Sequence, residues 1–319
     1  MNVVKRSARV AVLLSTLGWV GQVAVAVTAQ GAVSVNGGSV DSTVYSCPMH
    51  PDVRTSSPGS CPRCGMKLVT SEGTDNNHFV LDMTVEPSNP RAGQQVTLRF
   101  LVRRSEGGEI VRDFTEIHER LFHLFVVSED LEYFDHIHPE LKKDGSLQVT
   151  TVLPRKGRYQ LYADFVPQAS TPQFISRTVY TAGPVPDPGS KHVALSANAG
   201  PKQAGDAIVE LQLPPGLGLV SGELQPFRVH LRDATTAAPV TDLEPYLGAP
   251  AHLLAVSDDL TDGFHSHPAV EYSSTNGPDI VFEAVFPRAG FYRMWIQFQR
   301  HGQLQTLAFT VPVSPPPAR

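Results

Sequence analysis

Cys47-Pro48-Met49-His50 and Cys61-Pro62-Arg63-Cys64-Gly65-Met66 place three thiols, one imidazole and two thioethers within twenty residues of one another. Their order, Cys47-x2-His50-x10-Cys61-x2-Cys64, is that of two knuckles joined by a loop. A two-residue gap lets a tight turn aim both side chains at one point, so two such pairs can converge on a tetrahedral ion. Pro48 and Pro62 stiffen the knuckles, and Gly65 permits the left-handed backbone that such turns need. Thiolate suits Zn(II) and Cu(I), whereas the thioethers of Met49 and Met66 favour Cu(I) or Ag(I). The chain has only these three cysteines. A Cys61–Cys64 disulfide strands Cys47, while a metal site uses all three. A piece of about 25 residues cannot bury a useful core, so a cross-link is required even if a zinc knuckle only folds the segment.

A second group of ligand-type residues occurs twice. His123-Leu124-Phe125-Val126-Val127-Ser128-Glu129-Asp130-Leu131 is followed by His136-Ile137-His138-Pro139, and His252-Leu253-Leu254-Ala255-Val256-Ser257-Asp258-Asp259-Leu260 by His265-Ser266-His267-Pro268 at the same spacing. Pro154-Arg155-Lys156-Gly157-Arg158-Tyr159 is echoed by Pro287-Arg288-Ala289-Gly290-Phe291-Tyr292, and Asp164-Phe165 by Gln297-Phe298. The body of the chain is a duplicated domain. A hairpin centred on Glu129-Asp130 sets His123 across from His136, with His138 two further on and therefore on the same face. The same arithmetic pairs His252 with His265 and adds His267. Three imidazoles on a rigid sheet suit Cu(II) or Zn(II). His118 or Asp164 is the expected fourth ligand of the first triad; Leu247 and Gln297 stand at those positions in the second, which makes the second the expected weaker site. The rival reading is that His-x-His-Pro ends a strand and its imidazoles bond to backbone, since a repeated fold copies structural residues as faithfully as functional ones.

The knuckle segment resembles a known family. Tyr45-Ser46-Cys47-Pro48-Met49-His50-Pro51 and Pro58-Gly59-Ser60-Cys61-Pro62-Arg63-Cys64-Gly65-Met66-Lys67-Leu68-Val69 are similar to the heavy-metal-binding domain attached to copper- and silver-transporting P-type ATPases and to periplasmic adaptors of metal-efflux pumps. The resemblance implies Cys47, Cys61 and Cys64 as ligands, with His50, Met49 or Met66 completing the shell. It covers only this segment: the chain has no ATPase phosphorylation motif, no set of membrane spans and no long heptad hairpin. The duplicated part resembles exported proteins carrying a YtkA-like β-sandwich, which implies a fold but no activity.

The elements that must position these residues are strands. Gly and Pro number 25 and 27, which argues against long helices, and segments such as Gln95-Val96-Thr97-Leu98-Arg99-Phe100 alternate apolar and polar residues. The predicted fold is mainly β: two tandem antiparallel, immunoglobulin-like β-sandwich domains preceded by a small metal-binding knuckle module. Residues 1–29, with Lys5, Arg6 and Arg9 before an apolar stretch from Val10 to Val27, read as a signal peptide or an uncleaved anchor. Residues 30–44 read as a flexible linker, 45–69 as the module, 78–182 as the first repeat, 183–190 as a Pro-rich linker and 191–313 as the second repeat.

A net charge of −5 offers no basic surface to nucleic acid. No nucleophile elbow, phosphate loop, dinucleotide fingerprint or His-Glu-x-x-His helix is present, so no enzyme is expected. The expectation is an exported, periplasmic or extracellular, heavy-metal-binding protein that sequesters or delivers an ion. Copper is the expected ion, with silver or zinc as alternatives. The expected partners are metal ions and a metal-efflux or metal-delivery protein, with the membrane met only through an uncleaved leader. Two alternatives are a copper-dependent redox enzyme using the histidine triads, and a structural or interaction tandem sandwich whose zinc knuckle is a folding device.

Overall fold

The computed structural model describes residues 43–46, 54–59, 68–72, 79–183, 194–216, 218–269 and 276–317. Cys47, Met49, His50, Cys61, Cys64 and Met66 lie outside the described residues, as do the leader, most of the 30–44 linker and most of the 183–190 linker. Of the module the structure gives a three-stranded antiparallel sheet of β1 (Thr43–Ser46), β2 (Arg54–Thr55) and β3 (Val69–Glu72). Its order is β2-β1-β3, with Ser46 opposite both Arg54 and Val69. In sequence these strands bracket both knuckles.

The first repeat contains β4 (Phe79–Glu86), β5 (Gln95–Arg104), β6 (Phe114–Thr115), β7 (Phe122–Ser128), β8 (Phe134–Ile137), β9 (Glu140–Leu141), β10 (Leu147–Val152), β11 (Arg158–Pro167) and β12 (Gln173–Tyr180). The second contains β13 (Lys202–Ala204), β14 (Ala207–Gln212), β15 (Leu219–Val220), β16 (Leu224–Asp233), β17 (Leu243–Glu244), β18 (His252–Ser257), β19 (Gly263–Ser266), β20 (Asp279–Val285), β21 (Gly290–Arg300) and β22 (Gln303–Ser314). Each repeat is a sandwich of two sheets. One sheet has the order β4-β5-β10-β9, matched by β13-β14-β16-β20. The other has the order β12-β11-β7-β8, matched by β15-β22-β21-β18-β19, with β6 and β17 each pairing onto the long strand of its repeat.

Period-two alternation explains the cores. In β5 Val96, Leu98, Phe100 and Val102 are buried and pack with Leu124, Val126 and Leu161 of the facing sheet. Phe227, Val229 and Leu231 of β16 do the same with Leu253, Ala255 and Ile296. Each such side chain contributes roughly 1.5–3 kcal/mol by leaving water.

Strands β7 and β18 depart from this alternation, because every residue in both is buried. Their even-numbered and odd-numbered faces respectively serve their own cores, and the opposite faces pack repeat against repeat. Phe125, Val127, Leu131 and Tyr162 of the first repeat form one apolar cluster with Leu254, Val256, Leu260 and Trp295 of the second. Phe134 stacks on Trp295 with ring centroids 5.1 Å apart. The Tyr162 hydroxyl donates to the Leu260 carbonyl at 2.9 Å. His123 and His252 lie on these same faces, so the apolar contact between repeats is also the support of both histidine groups.

The hairpins joining β7 to β8 and β18 to β19 correct the expected register. The turn is longer than a two-residue one: Ser128 N–H donates to Tyr133 O at 3.1 Å, and Leu131, with φ +58°, closes an inner turn onto Ser128 O. Ser128 Oγ donates to Asp130 and accepts from Tyr133 N–H at 2.9 Å. Phe125 rather than His123 therefore lies opposite His136, and Leu254 rather than His252 lies opposite His265. The slip is two residues. A shift of two keeps every side chain on its face, so the imidazoles stay on one side of the sheet.

Candidate metal centres

Each histidine group is built from the open end of an edge hairpin, β7–β8 or β18–β19, and a short preceding turn. The turn Ile117–Arg120 is closed by a reciprocal backbone bridge, and Tyr246–Ala249 repeats it. His118 and Leu247 occupy the same place in the two turns, both with φ +49°. Because the turns fold back over the start of β7 and β18, the carbonyls of Ile117 and Tyr246 meet the first histidine of each group.

The first group comprises His123, His136 and His138, which the structure brings together: one nitrogen of each lies within 4.8 Å of the others. His123 Nε2–H donates to Ile117 O at 2.9 Å. A carbonyl only accepts, so the proton sits on Nε2 and Nδ1 carries a lone pair. His136 Nδ1–H donates to Gln297 Oε1 at 2.8 Å, and the Gln297 amide nitrogen is turned to Thr306 Oγ1. His136 Nε2 is therefore the lone pair. His123 Nδ1 lies 3.1 Å, and His138 Nε2 3.2 Å, from His136 Nε2. Two nitrogens each about 2.0–2.1 Å from one ion at angles near 90–110° stand roughly 2.9–3.4 Å apart. The observed separations fit a shared ion.

The second group centres on His252. Its Nε2–H donates to Tyr246 O at 2.8 Å, leaving Nδ1 as the lone pair. His267 Nε2 approaches that Nδ1 at 2.9 Å and His265 Nε2 at 3.3 Å. His265 Nδ1 bonds Asp164 Oδ2 at 2.7 Å. His118 joins this group and not the first: nitrogens of His118, His252 and His267 lie within 4.8 Å of one another, and the His118 ring stacks on His267 with centroids 3.6 Å apart. The His118 Nδ1–H donates to Leu247 O at 3.3 Å. His118 Nε2 and His267 Nδ1 are buried without a hydrogen-bond partner.

Burial and crowding keep these imidazoles neutral. Loss of hydration, then the neighbouring imidazoles, hold His136, His252, His265 and His267 well below the usual histidine range. Burial followed by His123 lowers His118 to about 4, and the same causes lower the less buried His138 to about 3. Burial also depresses His123, against the opposing pull of Asp164. Neutral imidazole is the form able to ligate a metal, and burial keeps these groups in it. Burial raises the Asp164 carboxyl above its ordinary value, with His123 and His118 opposing.

The expected fourth ligands are thus redistributed. Asp164 and His118, both in the first repeat, serve the second group; Gln297, in the second repeat, serves the first. The backbone bonds from His123 and His252 to Ile117 O and Tyr246 O are of the kind the rival reading expects, but they engage the first histidine of each group and not the His-x-His pair; the acceptor role of Gln297 belongs to neither reading. Gln297 stands at the Asp164 position, which is the one sequence signal that marks it. The module residues Cys47, Met49, His50, Cys61, Cys64 and Met66 have no place in this geometry, since they fall outside the described residues.

Comparison with known proteins bears on both parts. The family described as "Domain of unknown function (DUF8832)" matches residues 75–182 and again 203–315, more than half of the chain. The chain belongs to that family. Its DUF8832 repeats coincide with the two sandwiches. The heavy metal binding domain family matches residues 44–70, so the chain carries a heavy-metal-binding domain ahead of the repeats. That segment is similar to a silver exporting P-type ATPase of Salmonella typhimurium, 50% identical over 44 residues, which are 13% of this chain and 5% of the ATPase. It is also similar to a copper-exporting P-type ATPase of Legionella pneumophila, 68% identical over 25 residues, 8% of this chain and 3% of the ATPase. The likeness therefore spans about a twentieth or less of either transporter. Among solved structures, the Escherichia coli adhesin FdeC aligns over 78% of this chain and 68% of its own at 14% identity and a TM-score of 0.24, too distant to carry an argument.

Proposed function

We propose that this protein is an exported binder of heavy-metal ions that sequesters or delivers copper outside the cytoplasm, and that it is not an enzyme. The meeting of the His123 and His136 lone pairs at 3.1 Å, with His138 Nε2 3.2 Å from the latter, carries this reading for the sandwiches, because the opposite nitrogens of His123 and His136 are already spoken for by Ile117 and Gln297. Hydrogen bonding among the imidazoles alone leaves lone pairs facing each other. The heavy-metal-binding domain supplies thiolates from Cys47, Cys61 and Cys64, with His50, Met49 or Met66, a soft set suited to Cu(I) or Ag(I). The histidine groups supply nitrogen for Cu(II) or Zn(II). A protein holding both can receive a soft ion at one end and store a divalent one at the other, passing it to a metal-efflux or metal-delivery partner.

The test is metal analysis of the purified full chain after equilibration with Cu(I), Cu(II), Zn(II) and Ag(I), compared with a triple variant His123→Ala, His136→Ala, His138→Ala and with Cys47→Ser, Cys61→Ser, Cys64→Ser. Each triple variant is expected to lose part of the bound metal. Unchanged stoichiometry in the histidine variant removes the first histidine group from the function. Sequencing the amino terminus of protein recovered from the cell exterior tests export.

A second reading, copper-dependent redox chemistry, draws support from the closeness of the groups: the His123 and His136 rings lie 5.5 and 5.8 Å from the His265 ring. Oxygen consumption by the copper-loaded chain with a phenolic or Cu(I) substrate separates the two readings.

A further inference from the structure

The two histidine groups are unequal, and the inequality comes from residues that cross between repeats. His252 Nδ1 is the point toward which His267 and His265 direct nitrogens at 2.9 and 3.3 Å. His118 arrives from the other repeat on a turn whose own backbone carries it there, with its Nδ1–H fixed on Leu247 O and Nε2 buried and unpartnered beside the group. The carboxylate of Asp164, also from the first repeat, backs His265. The first group has no counterpart to either feature: Leu247 stands where His118 stands, and a neutral amide backs His136.

Resting on the reading that the histidine groups take metal, we infer that His118, His252 and His267, whose nitrogens lie within 4.8 Å of one another, form a centre built across the two repeats that draws in His265, 3.3 Å from His252 and backed by Asp164, as its fourth imidazole, and that it is the tighter of the two centres and selects a divalent ion, Cu(II) before Zn(II). Four nitrogen donors complete the shell that three leave open, and such sites favour Cu(II) over Zn(II) by the general order of divalent affinities. A carboxylate behind an imidazole raises its donor strength and adds negative charge near the cation, which an amide does not. The chemistry therefore favours a doubly charged ion at this centre. The three-imidazole centre, with His138 partly open to solvent, is left as the weaker and more exchangeable one.

The experiment uses the full chain with Cys47, Cys61 and Cys64 changed to Ser, so that only the histidine centres report. Cu(II) is titrated against a competing chelator, and the number of coupled nitrogens is read by electron paramagnetic resonance. Two ions of distinct affinity are expected. His118→Ala should weaken the tighter ion by tenfold or more and remove one coupled nitrogen, and Asp164→Asn should weaken it about 10–100-fold. In both, the weaker ion stays as it was, which also shows that the variant is folded. His123→Ala should do the reverse. If His118→Ala and Asp164→Asn leave both affinities unchanged, or lower both equally, the cross-repeat centre is wrong while metal binding by the sandwiches stands. If the cysteine-free chain takes up no Cu(II) or Zn(II) at all, the histidine reading falls with it.

Discussion

The two repeats share strand order, turn geometry and histidine spacing, yet they differ at the residues that touch one another. Tyr162 of the first repeat corresponds to Trp295 of the second, Phe134 to Gly263, Asp164 to Gln297 and His118 to Leu247. The exchanges are complementary. Trp295 is covered by Phe134, whereas the Tyr162 ring sits against Gly263, where a Cβ would lie 2.9 Å from its Cε1. A pair of identical sandwiches meeting face to face would present two equal centres. Divergence at the contact face gives the two histidine groups different neighbours across it.

The largest expected effect on this comparison is that of acid on the metal-free chain. The buried imidazoles have folded-state pKa values below the ordinary 6.5, His118 at about 4. Between those limits the unfolded chain binds more protons, so stability is complete above about pH 6.5 and is lost as pH falls toward 4. His118 alone accounts for roughly 3 kcal/mol. Urea midpoints measured from pH 7.5 down to 4 check this, and a flat profile above pH 5 contradicts it. Next comes Trp295→Ala, which removes a buried ring from the contact face and uncovers Phe134. A loss of about 3–5 kcal/mol is expected, read as a shift of the denaturation midpoint.

A smaller and more informative change exchanges the backing groups, Asp164→Gln together with Gln297→Asp. Moving the carboxylate to His136 should tighten the three-imidazole centre and loosen the other, each by about 10–100-fold, in competitive Cu(II) titration. Failure of the affinities to move in opposite directions shows that the backing residue does not set the inequality. The smallest effect is that of Gly263→Ala. The Tyr162 ring cannot retreat freely, being held by its bond to Leu260, so the added methyl should cost about 1–3 kcal/mol. Tyr162→Phe in the same background frees the ring and should recover part of the loss.

Much of this architecture is legible in the chain itself. Strand alternation and the repeated His-Leu-x-x-Val-Ser segments are local signals, and they yield the β fold, the duplication and the shared face of each triad. The hairpin register is misjudged by two because the turn is set by a side chain: Ser128-x-Asp130 and Ser257-x-Asp259 wrap their own backbone and put Leu131 and Leu260 in the left-handed region. The period of two in a strand absorbs that error. The assignment of His118 and Asp164 to the second group is not legible, because sequence comparison aligns each repeat with the other and says nothing about which residue of one reaches into the other. Contact between sandwiches is non-local, and Leu247 opposite His118 reads from sequence as a missing ligand when it is a carbonyl acceptor.

The crossing of Asp164 and Gln297 has a mechanical consequence. Each repeat supplies the group that orients an imidazole of its neighbour, so an ion held at either centre also clamps the two sandwiches together, and the docking of the sandwiches in turn sharpens the grip on the ion. If the centres take metal as proposed, uptake and the docking of the Phe125–Trp295 face are a single linked equilibrium. Loss of either copy would remove the group that orients an imidazole of the other.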